Sequence, residues 1–187
     1  IYSSPIVGVS FLDGSTQRYL QNRVSASYTD QDGDLSTKVD QVWTTYSYDA
    51  HGNVEWLIQD IEGFGPQYIA YEYDLINGNV LKVRYNEKRI DQFYHRYNYD
   101  ADNRIIQVET SKDNILWETD ATYAYYTHGP LSRMQIGEDK LQGSDYMYTI
   151  QGWLKGMNHA SLALAKDPGA DNTNNRFAPD VWGMQLG

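Results

Sequence analysis

Tyr46-Ser47-Tyr48-Asp49-Ala50-His51-Gly52-Asn53-Val54 decides how this chain is read, because the pattern returns four more times. Tyr71-Glu72-Tyr73-Asp74 leads to Gly78-Asn79-Val80, and Tyr97-Asn98-Tyr99-Asp100 leads to Asn103-Arg104-Ile105. Two looser copies follow. Tyr123-Ala124-Tyr125-Tyr126 leads to Gly129-Pro130-Leu131, and Tyr146-Met147-Tyr148-Thr149 leads to Gly152-Trp153-Leu154. The copies begin at 46, 71, 97, 123 and 146, with spacings of 25, 26, 26 and 23 residues. A near-constant period in this range marks a repeat architecture, in which each unit buries its apolar surface against the next.

Each copy predicts a β-hairpin. Tyr46 and Tyr48 stand two apart, so on a strand both rings point to one face. Asp49 follows, with a short carboxylate able to accept backbone N–H groups just ahead of it and start a turn. Gly52-Asn53 supplies positions where positive φ is cheap, and Val54, Trp56 and Ile58 alternate as the returning strand. The apolar pairs that close the units are spaced by three: Val54/Leu57, Val80/Val83, Ile105/Val108, Leu131/Met134 and Leu154/Met157. Strict alternation gives two or four, so the spacing predicts either a bulge or a sheet partly covered on both faces. Second turns fall between the hairpins, at Glu62–Pro66, Asn86–Lys88, Lys112–Asn114 and Gly137–Lys140. The expected fold is all-β, with tandem hairpins joined into one curved antiparallel meander sheet.

Three regions follow: N-terminal strands in residues 1–45, five repeats over 46–160 and an irregular tail over 161–187. In the first, Ile6–Leu12 is apolar and reads as a strand or a capping segment. Asn22-Arg23-Val24 echoes Asn103-Arg104-Ile105, so a degenerate repeat starts near residue 20. Val24–Thr29 and Lys38–Trp43 read as strands around the polar loop Asp30–Asp34. In the tail, Leu162–Ala165 reads as a helical turn broken by Asp167-Pro168-Gly169, Ala170–Asn175 as mobile, and Val181–Met184 as a resumed strand. The first residue, Ile1, and the last, Gly187, read as cuts within a longer polypeptide.

Composition narrows the function classes. The 187 residues hold 17 Tyr and 5 Trp against 4 Phe, which suits half-wet β faces. A formal charge of −10 argues against nucleic acid as a partner and against docking on anionic lipid. With no Cys, a disulfide framework, a thiolate metal site and a Cys nucleophile are all excluded. No apolar run approaches the roughly 18 residues of a membrane-spanning helix.

The pattern Tyr-x-Tyr-Asp-x-x-Gly-Asn-Val resembles the YD repeat of bacterial Rhs proteins, found also in toxin-complex C components and teneurins. The resemblance covers residues 46 to about 160. It implies a non-enzymatic structural segment of a secreted or cell-surface protein, an open piece of a β-spiral shell around a toxin or other cargo. The implied partners are the remaining repeats and the cargo domain of the parent polypeptide. The ending Asp180-Val181-Trp182-Gly183-Met184-Gln185-Leu186-Gly187 is similar to a between-repeat junction of some Bacteroidetes members. The family's shell is closed by a segment with self-cleavage aspartates and an Asp-Pro-rich motif. Asp167-Pro168-Gly169 matches it only superficially, so self-cleavage is not carried over.

Candidate chemistry is sparse, and the expectation is no cofactor and no catalytic residue. His51 and His128 take equivalent turn positions three repeats apart, about 29 Å at two strands per repeat, too far to share an ion. Asp30, Asp32 and Asp34 have the spacing of the first ligands of a calcium loop, but glycine is misplaced and the distal Glu missing, so a polar loop is favoured. No nucleophile motif occurs. Asp49, Asp74 and Asp100 recur evenly, but Tyr126 and Thr149 replace the acid later, which favours turn stabilisation over a glycosidase pair. The tyrosine pairs remain, as cross-strand packing or, alternatively, as an aromatic face for carbohydrate. An array cut at both ends also predicts edge-strand self-association or a covering by the terminal segments.

Overall fold

The computed structural model describes residues 5–6, 8–30, 41–139, 141–173 and 175–187. The chain is all-β, as the hairpin reading expects. Among the described residues twelve strands follow one another in sequence order. They are β1 (Ala26–Asp30), β2 (Gln41–Tyr48), β3 (Val54–Ile61), β4 (Gly65–Tyr73), β5 (Val80–Tyr85) and β6 (Phe93–Tyr99). Then come β7 (Ile105–Ser111), β8 (Glu118–Tyr125), β9 (Leu131–Ile136), β10 (Gln142–Tyr148), β11 (Leu154–Met157) and β12 (Met184–Gln185). From β2 to β11 short connections make the next strand in sequence the natural partner, which gives an antiparallel meander, and β12 joins it after the long stretch 158–183. The expected second turns each fall between two strands. Two compact units divide the chain, Ile1–Arg96 with Ser111–Ile115, and Tyr97–Thr110 with Leu116–Gly187.

In the first unit the pairing register sorts side chains onto two faces. Tyr46 lies opposite Leu57, Tyr48 opposite Val54, Tyr71 opposite Val83 and Tyr73 opposite Val80, so the tyrosines and the closing apolar pairs share one half-buried face. The other face carries Thr45, Ser47, Trp56, Ile58 and Ala70, all buried. Its cover is the N-terminal segment. Val9 and Phe11 pack against Trp56, Ile58 and Ala70, and Phe11 stacks on Trp56 with centroids 5.2 Å apart. The Gln17 side-chain amide donates to the carbonyls of Ser25 and Tyr46, at 2.7 Å each. Of the two readings of Ile6–Leu12, the capping segment is the one found. It forms no strand because it folds back within three residues: Phe11 N–H donates to Ser15 O at 2.8 Å and Gly14 N–H to Phe11 O at 2.9 Å.

The second unit repeats the plan with the opposite terminus as its cover. Tyr123 faces Met134, Tyr125 faces Leu131, Tyr146 faces Met157 and Tyr148 faces Leu154. The reverse face carries Arg133 directly opposite Asp145, and the tail packs there through Asp171 and Phe177. The tail departs from expectation in three places. A 3-10 turn occupies Leu164–Lys166 rather than Leu162–Ala165. The strand resumes only at Met184, where β12 pairs with β11. Ala170–Asn175, expected to be mobile, is anchored: Asp171 is fully buried, and the Asn175 side-chain amide donates to Gly169 O and Asp171 Oδ1 at 3.0 and 2.9 Å. Part of its polarity serves an internal ion pair, through Asp171, while Asn172 and Thr173 face solvent.

Candidate functional site

Four of the five corners share one construction. In the first, Asp49 N–H donates to Asn53 O at 2.9 Å and Gly52 N–H to Asp49 O at 3.2 Å. The same two bonds recur from Asp100 to Arg104 and Asn103, from Tyr126 to Pro130 and Gly129, and from Thr149 to Trp153 and Gly152. This is a three-residue hairpin loop closed by one residue at positive φ, namely Gly52, Asn103, Gly129 or Gly152. The second corner is one residue longer, with Asp74 N–H on Asn79 O and Gly78 N–H on Asp74 O. Gly129 has φ +116° with open space where a Cβ would go. Gly129→Ala is therefore expected to cost about 1–2 kcal/mol through the backbone alone, read as a lower urea midpoint at unchanged m-value.

The recurring acids are spent on their own corners. Asp49 Oδ1 accepts the N–H groups of His51, Gly52 and Asn53 at 2.9, 2.7 and 2.8 Å. Asp100 Oδ1 accepts those of Asp102 and Arg104 at 2.9 Å each, while Oδ2 takes Arg104 Nε at 2.7 Å. Asp74 Oδ1 accepts Ile76 N–H at 2.7 Å. Partial burial works against the Asp49 charge, but the bonds from Asn53, Gly52 and His51 outweigh it, and its pKa falls below the ordinary 3.8. The Arg104 side chain, then backbone N–H groups, lower Asp100 likewise. A depressed folded pKa gives stability that is present above about pH 4 and lost as pH falls through the folded value. Acid unfolding of the wild type should therefore begin below pH 4, and Asp49→Asn should flatten that limb while lowering stability at pH 7.

Four bulges explain the spacing of three. Pairing skips Glu55 between Val54 and Trp56, and likewise Leu81, Ser132 and Lys155. The extra residue turns a three-residue step into a same-face step, so in these four copies each closing apolar residue meets a tyrosine of its own hairpin.

The second tyrosine of the pair then reaches out of its hairpin. Tyr48 Oη donates to Val24 O at 2.9 Å, Tyr73 Oη to Val54 O at 2.9 Å and Tyr125 Oη to Ile105 O at 2.7 Å. Val54 and Ile105 each head the returning strand one repeat earlier. Val24 stands two residues before β1, in the stretch Asn22-Arg23-Val24 read as a degenerate repeat. Arginines stitch the same junctions: the Arg23 guanidinium lies 5.4 Å from the Tyr48 ring centroid and Arg104 lies 4.5 Å from that of Tyr125. Burial raises the Tyr48, Tyr73, Tyr99, Tyr125 and Tyr148 phenols above 10.0, so they stay protonated donors through neutral pH. Tyr126, standing where earlier copies have Asp, sends its hydroxyl forward to Tyr146 O at 2.9 Å.

No group of His, Asp and Glu among the described residues is placed to hold a metal ion. Asp30 ends β1, and Asp32 and Asp34 lie outside the described residues. The first unit holds a groove of about 720 Å³ between the N-terminal segment and the sheet, lined among others by Trp43, Thr45, Asp60, Glu62 and Tyr68. Trp43 stacks on Tyr28 at 5.0 Å, and both rings are about half exposed.

One cluster escaped the sequence reading. Arg133 Nη1 pairs with Asp145 and Nη2 with Asp171, with side-chain exposures of 13%, 10% and 0%. Asp167 Oδ2 accepts Asp171 N–H at 2.5 Å, and the Gln142 amide donates to Asp180 Oδ1 at 3.2 Å. Gly143 and Gly169 flank the guanidinium, where any Cβ would run into it. Burial opposes the Arg133 charge, yet the Asp145 and Asp171 bonds prevail and its pKa rises. Asp145 also rises, because burial exceeds what its share of one guanidinium returns. The available signal was charge at two positions that are buried in the first repeats, where Trp56 stands for Arg133 and Thr45 or Ala70 for Asp145. No family model and no curated protein matches the chain.

Proposed function

We propose that this chain is a non-enzymatic wall segment of an Rhs-like YD-repeat protein, secreted or displayed at a bacterial cell surface, whose sheet encloses a toxin or effector cargo carried by the same polypeptide. The supporting observation is the hydroxyl that three of the five copies hand back to the preceding unit, at Tyr48, Tyr73 and Tyr125. Such a rule of addition extends to any number of repeats. The acids that would tempt a hydrolytic reading are engaged in holding corners. The partners in this reading are further repeats and a cargo domain, with no nucleic acid. Reading the coding sequence on both sides tests it. More Tyr-x-Tyr-Asp units followed by a non-repeat domain are expected, and flanks lacking both would defeat it.

A carbohydrate-binding module is the second reading, favoured by the Trp43 groove with its acids and aromatic walls. Substitution of Tyr48 or Tyr73 cannot discriminate, because their hydroxyls join repeats. Trp43→Ala can: glycan-array binding lost with the fold intact would establish the module, and no binding by the wild type would remove it. Self-association remains part of the proposal at β1, which ends the strand order. Light scattering should show mass rising with concentration.

A further inference from the structure

The C-terminal segment holds the second unit together through a cluster with more acids than bases. Arg133 comes from β9, Asp145 from β10, and Asp167, Asp171 and Asp180 from the tail itself. Asp167, Asp171 and Asp145 are the charged groups that act on Asp180, with Gln142 of β10 as its neutral donor. The Arg133 guanidinium pairs with Asp145 and Asp171 alone among these four carboxylates. Among the described residues, Asp171 Oδ2 and Asp180 Oδ2 are buried without a hydrogen-bond partner, a costly state for ionised oxygens. The missing partner is not a metal: Gly143 and Gly169 press directly on the guanidinium, and the acids do not converge on an ion site.

We propose that residues 161–187 form a proton-latched strap, held on the β9–β10–β11 face when the Asp180 carboxyl carries a proton on its buried oxygen and loosened when that proton leaves. The same strap carries β12, which covers the outer edge of β11 through Gly156 and Met157 and through Leu186 N–H on Lys155 O at 2.8 Å. Loosening it bares a strand edge, which is a surface for pairing with another strand. This inference does not depend on the proposed function.

The direction follows from linkage. Burial first, then the nearby charges of Asp167, Asp171 and Asp145, push Asp180 up to about 7 from the ordinary 3.8. A raised folded pKa means the docked strap binds an extra proton between about pH 4 and pH 7. Docking is then strongest at the acid end and is lost as pH rises through 7, by up to about tenfold per pH unit. Asp145, also raised by burial, acts in the same direction.

Amide exchange in the 187-residue chain tests the latch, with rates corrected for the intrinsic effect of pH. Protection at the Leu186 amide, relative to that at Asn86 in the first unit, is expected to fall at least about tenfold from pH 5 to pH 7.5. Asp180→Asn keeps an acceptor for Gln142 without the charge, so its protection should stay level. Wild-type protection that does not change, or a variant that falls as the wild type does, overturns the proposal. A second readout needs no variant. The Asp180 carboxyl carbon should titrate near 7 by NMR, and a midpoint near 4 overturns the proposal equally.

Discussion

Arg133→Ala is expected to cost about 3–5 kcal/mol, because it leaves Asp145 and Asp171 buried and unpaired. Both carboxylates are nearly or wholly out of water, so neither can recover its hydration without the tail coming away. Phe177, 3% exposed and stacked 5.0 Å from the guanidinium, loses its neighbour at the same time. A domain's whole stability is about 5–15 kcal/mol, so the second unit should lose most of its cooperative unfolding in urea. Arg133→Lys should recover only part, since an ammonium cannot present a fork to two acids at once. A loss under about 1 kcal/mol would mean that the tail is held by something other than this ion cluster.

Trp56→Ala is the second large effect, expected at about 3–5 kcal/mol from lost burial and the cavity left behind. Trp56 is 3% exposed, sits at the centre of the covered face and supports the Phe11 ring. Its indole N–H has no hydrogen-bond partner among the described residues, so the loss is one of packing. Two consequences separate this account from general core damage. Trp56→Phe should cost clearly less than Trp56→Ala, and Phe11→Ala with Trp56→Ala should be less than additive because the rings share one contact. Full additivity would show that the N-terminal segment does not seat on Trp56.

Trp56 and Arg133 also show where the sequence was legible. Both stand third in the closing stretch of their repeats, in Val54-Glu55-Trp56-Leu57 and Leu131-Ser132-Arg133-Met134, and both face a terminal segment. The first and fourth positions stay apolar in every copy, and in four of them each meets a tyrosine of its hairpin, so the bulge behind that spacing could be read. The third position runs through Trp, Lys, Gln, Arg and Gly, and at Trp56 and Arg133 what it meets is a terminal segment, not a repeat. Neither terminal segment has a period, so no pattern announced that Phe11 would cap one face and Asp171 another. The corners were legible for the opposite reason. Acid and glycine each answer a need of the local backbone, visible within nine residues, whereas the tyrosine hydroxyls find their acceptors about twenty residues back.

The forward reach of Tyr126 was hidden as well. As a replacement for the corner acid it looked like decay, yet its hydroxyl takes a carbonyl in the next repeat. Sequence could show that an acid was missing there. It could not show that the ring had a different acceptor.

The most direct test of the central claim, that phenol hydroxyls fasten successive units at three junctions, is urea unfolding of Tyr48→Phe, Tyr73→Phe, Tyr125→Phe and the triple variant. Each single change keeps the ring and removes one hydroxyl donor from a main-chain carbonyl, so about 0.5–1.5 kcal/mol should be lost per site. The three donors have different acceptors, at Val24, Val54 and Ile105, so the losses should add in the triple variant to within about 0.5 kcal/mol. A triple variant as stable as the wild type would contradict the account.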